Sequence, residues 1–344
     1  MGFKLGQDII DRIRFKKRTY NKHTVVKSAV YGRVYSPMYN LDLPFKDAES
    51  YGKIADLYNE FGEKLKIYFI RDMTDACRPY RCSRYFLWDR YNFGLKTHFY
   101  SNSMMLETMG NPDKRYGLLT ESEAILTSAY KLFDRHKGLE KDFDLIFTHS
   151  AKILDKVENA RFVPLCAGIW NADEISDDGY KRKTKKVSIL SSDKLMCDLH
   201  KFRFDLAQKC KREHLADTYG TFDGGKTVKI ADTLTDYMYS ICIENEVTPY
   251  FFTERLVSAL AAQTIPIYLG ASEIDKFFNP DGIIKITVKD DIKQVLKQCT
   301  REEYERRLPA VLENYQKALR YAAPYDIMYE KYLSEDAEKL TKMS

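Results

Sequence analysis

YSICIENEVTPYFFTERLVSALAAQTIPIYLG, from Tyr239 to Gly270, decides the fold. Tyr239–Ile243 is a continuous apolar run of strand length, Thr253–Ala262 repeats apolar residues at helical spacing, and Ile265–Leu269 is a second apolar run closed by Gly270. Strand, helix and strand at this spacing form a βαβ unit, which needs a parallel sheet covered on both faces. Ligands of such sheets bind beyond the carboxyl ends of the strands. Glu244 and Asn245 stand at that end of the first run, and Thr253 stands at the N-cap of the helix, with Glu254 and Arg255 in its first turn. A cation there opposes the helix dipole. Arg255 makes sense if an anion, a diphosphate in particular, is held by the guanidinium and the helix N–H groups together. Glu254 would then suit hydroxyls of a ribose or sugar. The plainer alternative is that both are exposed first-turn residues.

The same alternation continues outward. Val187–Leu190, Asp217–Tyr219 and Ile283–Val288 read as strands, and His200–Lys211 and Asp290–Cys299 as helices. Arg301–Leu340 is amphipathic and helical with a break at Pro324. In the N-terminal half, strands are expected at Thr24–Val30, Leu65–Ile70, Tyr85–Leu87, Thr97–Tyr100, Leu145–Thr148 and Phe162–Pro164. A helix is expected over Thr120–Gly138, opened by a Thr120–Glu123 capping box and stopped at Gly138. Between the halves, Asn171–Lys186 is almost devoid of apolar residues and reads as a solvated linker, its KRKTKK run included. The expected domains are residues 1–170, a linker at 171–186, a second α/β domain at 187–310 and a helical segment at 311–344.

The chain has 344 residues, 44% hydrophobic and 31% charged, with a net charge of +5. That length suits two domains and that composition an ordered protein; the charge suits an anionic substrate better than nucleic acid. Seven cysteines, without a C-x-x-C pair, argue against a disulfide framework or zinc site and for a reducing compartment. No run reaches the ~20 apolar residues of a membrane span. The opening MGFKLGQDIIDRIRFKKRTY lacks a signal-peptide centre, so a cytoplasmic protein is expected. Ile9, Ile10 and Ile13 among basic residues would suit peripheral contact with an anionic inner membrane face. Asp142 and Asp144 form a D-x-D, but before an apolar run rather than after one, which reads as a turn and not a metal site. No Walker loop, G-x-G-x-x-G or H-E-x-x-H is present.

IENEVTPYFFTERL, ALAAQTIPIYLG and the KFFNP of Lys276–Pro280, in that order, resemble the donor-domain signature of the α-1,3-fucosyltransferases, glycosyltransferase family ten. The likeness runs over about Ser188–Ile286. It implies a GT-B fold, two Rossmann-like domains facing across a cleft with C-terminal helices, and inverting transfer of fucose from GDP-fucose to a glycan hydroxyl without a metal. On this resemblance Glu254 contacts ribose or fucose, Arg255 the diphosphate, and Glu244, Asn245 and Thr253 lie beside the donor. SILSSDKLMCDLHKFRFDLA (Ser188–Ala207) looks like the segment whose helix supplies a phosphate-binding arginine, here Arg203, or Lys201 in second place. His200 starts the same helix. Two residues depart from the family pattern. Arg255 replaces its lysine, and Phe251 its tyrosine, removing one hydroxyl near the donor. KIYFIRDMTDACRPYRCSRYFLWD (Lys66–Asp89) resembles the segment carrying the catalytic carboxylate, which points to Asp72 as base and Asp75 as its alternate. The expected acceptor is a surface polysaccharide or lipopolysaccharide. Another nucleotide sugar, or a binding module without catalysis, are the competing readings.

Overall fold

The structure, a computed structural model, describes residues 33–36, 41–44, 66–71, 85–89, 95–106, 108 and 112–334. The chain divides into two compact units, one reaching to Leu165 and resumed from Tyr325, the other Cys166–Pro324.

The first unit holds a six-stranded sheet of β3 (Lys66–Arg71), β4 (Phe86–Asp89), β5 (Thr97–Ser101), β6 (Lys114–Leu118), β7 (Leu145–Thr148) and β8 (Ala160–Phe162). All pairings in it are parallel, in the order β4-β3-β5-β6-β7-β8. A separate antiparallel pair joins β1 (Arg33–Ser36) to β2 (Leu41–Pro44). His98 through Ser101 are all buried, as a sheet covered on both faces requires. Successive side chains feed opposite faces. Tyr100 packs with Tyr130, Phe133, Ile146 and Ile153, and Phe99 with Phe147, Val163, Tyr325 and Met328.

Several expectations are corrected here. Thr120–Gly138 is not one helix but two short ones, α1 (Thr127–Tyr130) and α2 (Leu132–Arg135). The capping box does not form because Thr120 is engaged elsewhere. Its N–H donates to Asn102 Oδ1 at 3.3 Å, and its Oγ1 accepts from Asn102 Nδ2 at 3.1 Å. Strand β6 was not anticipated, since Lys114, Arg115 and Gly117 dilute its apolar pattern. β8 lies two residues before its expected position. Asp144 sits in a turn, accepting from Arg115 N at 2.8 Å, as the D-x-D reading anticipated. The expected Thr24–Val30 strand lies outside the described residues.

The second unit contains β9 (Lys185–Leu190), β10 (Asp217–Tyr219), β11 (Tyr237–Ile243), β12 (Ile265–Leu269) and β13 (Ile284–Lys285). They form one parallel sheet in the order β10-β9-β11-β12-β13. Its helices are α4 (Asp198–Arg212), α5 (Ile230–Leu234), α6 (Glu254–Ala261), α7 (Ile292–Gln298) and α8 (Arg301–Leu319). In the first unit α3 (Ala151–Lys156) follows β7, and α9 (Pro324–Met328) begins where the chain leaves the second unit. All seven residues of β11 are buried. Ile241 and Ile243 face Leu206 and Ala207 of α4, while Cys242 faces Leu256 and Val257 of α6. The chain steps outward from β9 to β10 on one side and from β11 to β12 and β13 on the other. The strand order therefore reverses between β9 and β11, the place where open α/β sheets form a ligand crevice.

The boundary between units falls at Leu165, and Asn171–Lys186 is no solvated linker. Its polar groups are met inside the second unit. Gln263 Oε1 accepts from Tyr180 N at 2.6 Å, and Gln263 Nε2 donates to Ser176 O and Asp177 O. Lys183, only 2% exposed, donates to Leu234 O, Thr235 O and Thr264 Oγ1 at 2.8–3.0 Å. The expected 311–344 segment is likewise divided at Pro324: α8 belongs to the second unit, and the chain from Tyr325 to the first.

Candidate functional site

The reversal point places the carboxyl ends of β9 and β11 side by side, and the basic residues gather there. Arg255, half-buried in the first turn of α6, donates from Nη1 to Leu190 O at 3.3 Å. Arg203, 2% exposed on α4, donates from Nη1 to Ile243 O at 2.6 Å. Its Nε is buried without a hydrogen-bond partner among the described residues. Burial first, and then the charge of Arg255, pushes the Arg203 pKa down. Neither arginine forms an ion pair among the described residues. Two guanidinium groups thus come to one sheet edge, each hydrogen-bonded to a carbonyl oxygen and neither in an ion pair among the described residues, an arrangement that favours an incoming anion.

His200, on the first turn of α4, shares a hydrogen bond with Asn245, Nε2 to Oδ1 at 2.8 Å. Cys197 Sγ donates to Asn245 O at 3.3 Å, so the loops after β9 and β11 are joined at two points. Burial, followed by the Arg203 charge, lowers the His200 pKa and favours the neutral ring. Lys194, in the loop after β9, adds positive charge near His200. It was not among the sequence candidates, and its only sequence signal is its place just beyond a strand's carboxyl end.

Glu244 follows β11 directly and is 1% exposed. Its Oε1 accepts from Thr253 N at 3.0 Å and its Oε2 from Thr253 Oγ1 at 2.8 Å. Burial pushes its carboxyl up to about 7, with Arg255 pulling the other way. Thr253 is the N-cap of α6, its hydroxyl accepting from Arg255 N at 3.2 Å.

Some expectations change at this point. The N–H groups that were to hold an anion are already engaged: Glu254 N with Cys166 O, Arg255 N with Thr253 Oγ1 and Leu256 N with Thr253 O. The guanidinium groups, rather than the α6 amides, are what the site offers. Glu254 is half-buried beside them. Phe251 is completely buried and presents no surface to a ligand. Lys201 is exposed and pairs with Asp198 at 3.7 Å, whereas Arg203 on the same helix is buried. Asp72 and Asp75 lie outside the described residues. Among the described residues no group of three or more His, Cys, Asp or Glu is placed to hold a metal ion, and no helix is long and apolar enough to cross a membrane.

Residues 180–321 match the family model described as glycosyltransferase family 10 (fucosyltransferase), C-terminal. This segment is similar to the C-terminal domain of the family 10 glycosyltransferases. It takes in β9 to β13, α4 to α8 and every residue of the basic cluster. The α-(1,3)-fucosyltransferase FucT of Helicobacter pylori is 34% identical over 53 residues, which are 15% of this chain and 11% of that relative. The chain thus spans about a tenth of the length of the curated relative it matches. Among solved structures, an α1,3-fucosyltransferase is similar at 14% identity and a TM-score of 0.46, over 74% of this chain and 86% of that one. An α1,3-fucosyltransferase solved with GDP-fucose is similar at 15% identity and a TM-score of 0.43, over 78% and 91% respectively.

Proposed function

We propose that the chain is an inverting glycosyltransferase that moves fucose from GDP-fucose to a hydroxyl of a glycan acceptor, without a metal. The observation that carries this reading is the pair Arg203 and Arg255, brought without an ion pair among the described residues to the reversal point of a segment that matches the family 10 model. The diphosphate would lie against the two guanidinium groups. As the bond from C1 to the diphosphate oxygen breaks, negative charge builds on that oxygen, and fixed cations in a buried site stabilise it without reorganising. Glu254 and Asn245 would take the hydroxyls of the ribose or fucose. A carboxylate, assigned to Asp72 with Asp75 as alternate, would accept the proton of the acceptor hydroxyl as its oxygen bonds C1 from the opposite face.

A second reading keeps the chemistry and changes the donor. Arg255 stands where the family pattern has lysine, and its planar fork would meet a donor differently, whereas the buried Phe251 in place of tyrosine bears on the site only through packing. The acceptor is proposed to be a surface polysaccharide or lipopolysaccharide, met by a cytoplasmic enzyme at the inner membrane face. GDP release from a panel of nucleotide sugars, with EDTA and mixed glycan acceptors present, tests the function. GDP-fucose as the preferred donor supports fucose transfer, and another preferred donor replaces it.

A further inference from the structure

We propose that Glu244 is a positioning residue of this site and that its carboxyl takes up a proton when a diphosphate binds; this rests on the donor reading above. Glu244 is held on every side. Two hydrogen bonds tie it to Thr253, nine residues later, closing the loop between β11 and α6. The Thr253 hydroxyl in turn accepts from Arg255 N, so a continuous chain of bonds runs from the buried carboxyl to the backbone of Arg255. Beyond β12, a Cβ at Gly270 would stand 2.4 Å from Glu244 Cγ and 2.3 Å from the Tyr268 hydroxyl, so glycine leaves room for the carboxyl to stay in place.

The charges around it set its protonation. Arg255 and Glu254 face it from α6, Arg203 from α4, Tyr268 from β12 and Cys242 from β11. Arg255 favours the carboxylate, whereas burial and Glu254 favour the neutral acid, and the two sides balance near neutrality. A diphosphate against Arg255 and Arg203 cancels the positive potential that sustains the carboxylate, and tips the balance to the acid. The proton can be accommodated without moving heavy atoms. Thr253 Oγ1 can accept from a Glu244 O–H across the same 2.8 Å, because a hydroxyl has two lone pairs and already accepts only from Arg255 N. By linkage, a site that gains a proton on binding loses affinity as pH rises.

GDP-fucose is the probe of choice, because its diphosphate diester has no ionisation near neutrality. Its Kd for the full chain is measured by calorimetry at pH 6 and pH 8, in buffers of differing ionisation enthalpy. The parent is expected to take up protons near pH 7 and to bind about tenfold more weakly at pH 8. Glu244→Gln imitates the neutral acid, accepting from Thr253 N and donating to Thr253 Oγ1. It should bind at pH 8 as tightly as the parent does at pH 6, with the Glu244 proton uptake gone. Glu244→Ala, which cannot hold Thr253, should bind weakly at both pH values. A parent without proton uptake, or a Glu244→Gln variant that keeps the parent's pH dependence, overturns the proposal. A parent that binds no GDP-fucose at either pH overturns the donor reading and the proposal with it.

Discussion

Arg203 and Arg255 reach the same sheet edge from different helices, one bonded to Ile243 O at the end of β11 and the other to Leu190 O at the end of β9. Each guanidinium raises the cost of holding the other there, and the nearby Glu244 and Glu254 offset only part of it. Binding and stability should therefore respond in opposite senses to their removal. Arg203→Met is expected to leave unfolding by urea unchanged or slightly harder, while GDP no longer raises the melting temperature as it does in the parent. A variant that unfolds much more easily, yet keeps the full GDP shift, would make Arg203 a structural residue.

Arg255 is the more accessible of the pair, and its loss is read most directly on affinity. Arg255→Ala is expected to weaken GDP binding by about 1.5–3 kcal/mol, the range for a hydrogen bond to a charged group. That is roughly a ten- to hundredfold rise in Kd, read by calorimetry. Near-parental affinity would remove Arg255 from the anion site.

These residues differ in how far the sequence exposed them. The β11–α6–β12 unit was legible because its apolar runs are continuous and long enough to separate strand from helix. On α4, His200, Arg203, Ala207 and Cys210 are all buried, at helical spacing, while Lys201 falls off that stripe and faces solvent. Periodicity thus supports the choice of Arg203 over Lys201. Lys183 shows the opposite case. In KRKTKK nothing local distinguishes it from its neighbours, and its burial depends on Leu234, Thr235 and Thr264, about fifty to eighty residues away. The Thr120–Glu123 capping pattern failed for a similar reason, since Asn102 takes up Thr120 from another part of the chain.

Lys183 gives a prediction of its own. Lys183→Met removes three hydrogen bonds to buried acceptors and should destabilise the protein by about 2–3 kcal/mol in urea unfolding at pH 7. Burial pushes the Lys183 ammonium down to about 7, below the 10.5 of an ordinary lysine. Between these values the unfolded chain binds more protons, so this residue makes stability rise with pH from about 7 to 10.5. The variant should lose that slope; an unchanged slope would contradict the burial assignment.

Glu244 acts in the adjoining window and with the opposite sign. Its folded carboxyl titrates at about 7 rather than the ordinary 4.5, so the folded state binds the extra proton between those values. Its contribution is fully present below pH 4.5 and is lost as pH rises to 7. Glu244→Gln should flatten that decline, which amounts to at most about 3 kcal/mol. Unfolding curves for the two proteins that stay parallel from pH 5 to 7.5 would contradict it.

The proposed hold of Arg203 and Arg255 on the diphosphate of GDP-fucose underlies the function assigned above. It is tested most directly by calorimetric titration of GDP-fucose into the parent and Arg255→Ala proteins at low salt with EDTA present. The parent is expected to bind with an affinity that EDTA does not weaken and that Arg255→Ala loses by roughly ten- to hundredfold. Absence of binding by the parent, or equal affinity in the two proteins, would contradict it.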